Sequence, residues 1–151
     1  MIAALPDGER PARPAALGHA GSTDAAVAVL TYWLQLLPFS QQVGDTSEAR
    51  SLSHPECVFC RSMLDSIDDL IARGEHSVGG GYTISDVSVL EVAVGRWYNV
   101  SLTLVEAPSS ELDQSGSTMA TFPGHTYAVT AVALFEGGTW TVRELSYETL
   151  S

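Results

Sequence analysis

Apolar positions recur with two different periods along this chain, and the period changes near residue 82. Val27, Leu30, Leu34 and Leu37 repeat at i, i+3, i+7 and i+10, which puts them on one face of a helix. Ser22, Thr23 and Asp24 precede that run and offer caps. No charged residue falls between Ala25 and Leu37, so this helix is expected to be covered on more than one side. Pro38 and Gly44 are expected to end it. Asp45-Thr46-Ser47-Glu48 reads as a cap whose glutamate reaches back, opening a short second helix to about Leu52. Ser53-His54-Pro55-Glu56 repeats the signature ahead of a third helix. There Phe59, Met63, Ile67 and Leu70 form the apolar stripe, and Gly74 stops the helix.

Beyond Tyr82 the apolar residues alternate, as in strands with one buried face. Tyr82 and Ile84 are followed by Val87 and Val89, a change of parity that predicts a bulge near Ser85-Asp86. Tyr98, Val100, Leu102 and Leu104 share one face of the next strand. Residues 107–124 read as a long polar loop. Tyr127, Val129, Ala131, Ala133 and Phe135 resume alternation, Gly137-Gly138 makes a tight turn, and a last strand runs from about Trp140 to Tyr147. Helices first and strands afterwards is an α+β order. The expected fold is three N-terminal helices packed on a curved four-stranded antiparallel sheet, with the bulge bending the sheet into a cone. Residues 1–21, rich in Pro, Gly and charge, are expected to be a disordered linker, and residues 22–151 the folded domain.

Composition narrows the partners. The chain has 151 residues, 45% of them hydrophobic, with a mean hydropathy of +0.12, enough for a core of its own. Its seven basic residues are all arginines, against 18 acidic ones, and the net charge is −11. With no basic cluster to neutralise phosphates, nucleic acid and anionic membrane surfaces are disfavoured as partners. No stretch approaches the roughly 20 apolar residues of a membrane span. No signal peptide is visible either, so the protein stays inside or its signal lies outside this sequence, and the linker-like start favours the second.

Cys57-Val58-Phe59-Cys60 holds the only two cysteines and opens the third helix. Such a pair serves as a redox centre, half of a zinc site or a disulfide. Zinc needs four ligands, and His19, His54, His76 and His125 stand at spacings that fit no ligand pair. A thioredoxin-like centre expects the motif after a strand, whereas helix is expected here before it. The plainest reading is a disulfide in an exported domain, because i to i+3 cysteines come within bridging range around a first helical turn. Asp65, Asp68 and Asp69 read as the solvated face of the third helix. No metal or cofactor is expected.

Tyr32-Trp33-Leu34, Gly44-Asp45-Thr46, the Leu52-to-Cys60 block and Gly138-Thr139-Trp140-Thr141-Val142 together resemble a family of actinobacterial lipoproteins of unknown function. The resemblance spans about residues 22 to 145, and the C-x-x-C block carries most of its specificity. That family is similar in turn to the ketosteroid-isomerase-like, or nuclear-transport-factor-type, α+β cone. It implies export, a lipidated cysteine upstream of this chain, a disulfide between Cys57 and Cys60, and no established activity. Such cones often enclose a pocket between sheet and helices, for which the expected residues are Tyr32, Trp33, Phe59, Tyr98, His125 and Tyr127. Of these, Tyr32, Tyr98, Tyr127 and His125, together with Asp86, would be the acid/base candidates. None lies in a recognisable catalytic motif, so no catalytic residue is assigned. The expected function is an exported, surface-tethered domain that binds a small apolar ligand or an envelope protein without catalysis. A pocket isomerase or dehydratase is the alternative, and a thiol oxidoreductase a more distant one. The same architecture also admits a homodimer.

Overall fold

In the computed structural model, which describes residues 1–151, Ser22 caps the first helix by accepting the Ala25 amide on its side-chain oxygen at 3.1 Å. That helix, α1 (Thr23–Val43), runs straight through Pro38 and ends at Gly44, whose φ of 83° supplies the left-handed C-cap. The expected stop at Pro38 is therefore one and a half turns early. Residues on every side of α1 are buried, from Ala25 and Ala26 to Phe39 and Ser40, and this packing offsets the hydrogen bond a proline removes. Asp45 accepts the Ser47 amide at 2.9 Å and opens α2 (Ser47–Ser51). Cys57 caps α3 (Val58–Ala72), its sulfur accepting the Cys60 amide.

Seven strands follow: β1 (His76–Gly79), β2 (Tyr82–Ala93), β3 (Trp97–Glu106), β4 (Ser109–Leu112), β5 (Thr118–Phe122), β6 (Thr126–Glu136) and β7 (Thr139–Thr149). The four long ones form an antiparallel sheet in the order β2-β3-β6-β7. Its inward positions, among them Ile84, Tyr98, Val100, Leu102, Val129, Ala131 and Val142, share one core with Val29, Leu30, Trp33 and Leu36 of α1 and Leu64 of α3. The predicted bulge is present. Register shifts between Ser85 and Ser88, and Asp86 takes a positive φ of 53°. Gly137 and Gly138, both at positive φ, make the two-residue β6–β7 turn.

Two expectations are corrected. The polar stretch 107–124 is not a loop: it holds β4, which pairs with β1, and β5, which pairs with β4, in a second sheet ordered β1-β4-β5. The hairpin turns at Asp113, whose carboxylate accepts the amides of Ser115 and Ser117. Short strands of Ser, Thr and Glu with no buried residue carry little alternation, which hid them. Nor is 1–21 a free linker. Ile2 exchanges both backbone hydrogen bonds with Ile84 (2.8 and 2.9 Å), Asp7 accepts the Gly79 amide, Arg10 lies 5.0 Å over the Phe39 ring, and Arg13 pairs with Glu48. A helix with no charge from Ala25 to Leu37 must be covered on its far side, and this segment lies there. Ile2 also blunts the β2 edge of the sheet, as Ser53 does for β7 through the amide pairs His54–Val142 and Val142–Leu52.

Candidate functional site

Where the sheet core ends, side chains from all three layers stop short of one another and leave a cavity of about 320 Å³. Leu34 and Leu37 of α1 form one wall, and Phe59, Ser62, Met63 and Ser66 of α3 the second. The third is the inward face of the strand ends: Tyr82, Leu104, Glu106, Tyr127, Val129, Leu145 and Tyr147. The helical stripe on α3 explains part of this geometry. Ile67 and Leu70 are buried as expected, but Phe59 and Met63 remain half-buried because they face the cavity, while Cys60 and Leu64 take their place in the core. Three rings chain along one side, Phe59 to Tyr147 at 5.9 Å and Tyr147 to Tyr127 at 5.4 Å, both edge-to-face.

Glu106 is the only charged group of the lining. It stands at the last position of β3, and the Tyr127 hydroxyl donates to it at 3.4 Å. Burial pushes its carboxyl above the ordinary glutamate range, against the opposing effects of that hydroxyl and of nearby His125. Burial, and then the charge of Glu106, push the Tyr82 phenol upward as well, and Tyr127 shifts the same way for the same reasons. The arrangement is an apolar chamber with one under-solvated carboxylate flanked by two phenols. It can hold a small apolar body and hydrogen-bond or ion-pair with one polar group on it.

Of the six pocket residues expected from the sequence, Phe59 and Tyr127 line this cavity. His125 sits beside it, its ring 6.0 Å from that of Tyr127 and its Nδ1 3.3 Å from the Ser151 carbonyl oxygen. The other three belong elsewhere. Trp33 is wholly buried, and its Nε1–H donates to the Ala49 carbonyl and the Ser53 hydroxyl, locking α2 to α1. Tyr32 donates to Glu48 at 2.7 Å, and burial with that carboxylate pushes its pKa up to about 12. Tyr98 packs on Trp140 at 5.6 Å and donates to Glu91 at 2.7 Å, away from the cavity, with its pKa also raised to about 12 by burial and by Glu91. Asp86 is the exposed bulge residue. Asp65 and Asp68 both bind Arg50, at 2.7 and 2.6 Å. Glu106, Tyr82 and Tyr147 went unnamed among the pocket residues, although the alternation Tyr98, Val100, Leu102, Leu104 leads to Glu106 in one more step.

Cys57 and Cys60 form a disulfide with Cα atoms 5.2 Å apart, and both residues are 0% exposed. Neither sulfur is therefore presented to an incoming thiol or disulfide. Cys60 touches the Val142 carbonyl, so the bridge holds the first turn of α3 against β7.

The helices, the bulged four-stranded sheet and the cavity between them define a nuclear-transport-factor-like α+β domain. The chain belongs to the Family of unknown function (DUF6318), whose pattern it matches over residues 9–146. No curated protein matches it. Among solved structures it is similar to the intermembrane space region of the chloroplast protein ARC6, with a TM-score of 0.63 and 16% identity over 85% of this chain and 98% of that one. It is also similar to a provisionally named dehydratase of the NTF2-like family from Streptomyces avermitilis (TM-score 0.54, 16% identity, 85% and 99% of the chains). A provisionally named scytalone dehydratase from Novosphingobium aromaticivorans scores 0.54 at 9% identity, over 83% and 84% of the chains. At these identities the likeness is one of fold.

Proposed function

We propose that this protein is an exported domain that binds a small, largely apolar molecule in the cavity between α1, α3 and the strand ends, and does so without turning it over. The observation that carries the reading is the cavity itself, mostly apolar on its three walls, with the hydroxyls of Ser62 and Ser66 on α3 and one charged group, Glu106. The disulfide supports export, since such bonds persist in oxidising compartments. Attachment to the cell surface through a lipid anchor is the further step taken from the resemblance to lipoproteins. Neutral N-phenyl-1-naphthylamine, which fluoresces in apolar surroundings, tests the pocket. Saturable one-to-one binding that is lost in Met63→Trp, a substitution that fills the chamber, supports the proposal. Absence of saturable binding, or binding unchanged in the filled variant, overturns it.

One observation favours a second reading. A carboxylate with a raised pKa beside two phenols is the equipment of a proton-transfer enzyme, with Glu106 as base and Tyr82 or Tyr127 as donor to a developing enolate. Exchange of α-protons of a small cyclic ketone for deuterium, dependent on Glu106, is its test.

A further inference from the structure

Glu106 is the one charged group of the pocket lining. All seven arginines are engaged away from it. Arg10 and Arg13 lie against Asp45 and Glu48, Arg50 binds Asp65 and Asp68, and Arg73, Arg96 and Arg143 bind Glu75, Glu136 and Glu56. Arg61 donates to the Pro55 carbonyl. There is no lysine. Glu106 thus has no arginine or lysine to pair with, and its only basic neighbour is His125, on the rim. The groups facing it from the packed elements are otherwise phenols (Tyr82, Tyr127, Tyr147) and the neutral hydroxyls of Ser62 and Ser66.

We infer that the ligand is a small amphiphilic cation, a protonated amine on an apolar or aromatic skeleton. Its ammonium would sit on Glu106, and its body against Leu34, Leu37, Met63 and the ring wall. Three independent features converge on this. The lone unpaired carboxylate of the chamber lacks a cation. Phe59, Tyr82, Tyr127 and Tyr147 present aromatic rings, whose faces attract cations. The net charge of −11 draws cations toward the protein and repels anions. Burial already disfavours the charged form of Glu106, and a bound ammonium would relieve that penalty. A cavity of about 320 Å³ stands at the lower end of the range of small-molecule sites, which fits a small ligand.

This inference rests on the cavity being the binding site, and three probes of one skeleton separate the two claims. 4-Phenylbutylamine, 4-phenylbutan-1-ol and 4-phenylbutyrate are titrated as competitors of N-phenyl-1-naphthylamine. The amine is expected to bind at least about tenfold more tightly than the alcohol, since a charged hydrogen bond is the stronger one, and the butyrate most weakly. Glu106→Gln should weaken the amine at least about tenfold and the alcohol much less, so that the preference between them is lost. An alcohol that binds as tightly as the amine, or a Glu106→Gln effect equal on both, overturns the cation while leaving the pocket standing. Failure of every probe, including the naphthylamine, removes both.

Discussion

Opening the Cys57–Cys60 bridge is the most direct perturbation of the frame that positions α3. The bridge closes a loop of four residues, for which chain entropy gives about 2 kcal/mol. In a domain of this size that is a fall in Tm of about 4–8 °C on reduction. Replacing both residues by alanine should cost more. It also removes the sulfur that caps α3, about 1 kcal/mol, and two wholly buried sulfur atoms, roughly 1 kcal/mol each. The sum is about 5 kcal/mol, or roughly 10–20 °C. Cys57→Ser with Cys60→Ala restores a good cap and should recover about 1 kcal/mol of that loss. Thermal and urea unfolding of the oxidised, reduced and doubly substituted proteins, with free thiols counted by alkylation and mass spectrometry, reads all three steps. If reduction frees two thiols and leaves Tm unchanged, loop closure contributes nothing here. If two thiols are free before any reductant is added, the staple itself is refuted.

Glu106→Gln should stabilise the protein at pH 7. A carboxyl whose pKa is raised by burial contributes its stability below the unfolded value of about 4.3 and loses it as pH rises through the folded value, so the variant and the parent should converge near pH 4 in urea unfolding. Gly124→Ala should destabilise by about 1–3 kcal/mol, because a Cβ there would stand 2.0 Å from the Glu106 carbonyl oxygen, and chemical denaturation measures it. Deleting residues 1–8 should speed hydrogen exchange at the Ile84 amide by at least about tenfold, since that amide donates to the Ile2 carbonyl at 2.9 Å. Equal exchange rates would mean that the N-terminal segment leaves the sheet edge open in solution.

The elements that build the core were legible because burial writes a period into the sequence. The capping run at Ser22, the parity change at Asp86 and the glycine pair at 137–138 each have a local physical cause, and each lies where that cause puts it. The second sheet was not legible, because Ser109-Ser110-Glu111-Leu112 and Thr118-Met119-Ala120-Thr121-Phe122 bury no residue and so carry no such period. The N-terminal segment failed differently. Its composition is that of a linker, and what orders it is the outer side of a mostly apolar helix, visible only when both are considered together. Of the expected pocket residues, Phe59 and Tyr127 line the cavity, whereas Trp33 and Tyr98 lie deeper in the core.

Glu106 shows why a binding site can be read from a broken pattern. Tyr98, Val100, Leu102 and Leu104 are inward and buried, and the next inward position of β3 places a carboxylate beside an apolar chamber. Half-burying that charge without an arginine or lysine beside it works against the fold, and none of the arginines relieves it. A leucine there would extend the core and cost nothing electrostatically. On the inference drawn above, the missing partner of this carboxylate comes from outside the chain. A cation carried into the pocket on an apolar body supplies that missing half, and it supplies it only while bound. The same carboxylate that weakens the empty domain therefore becomes the source of its selectivity.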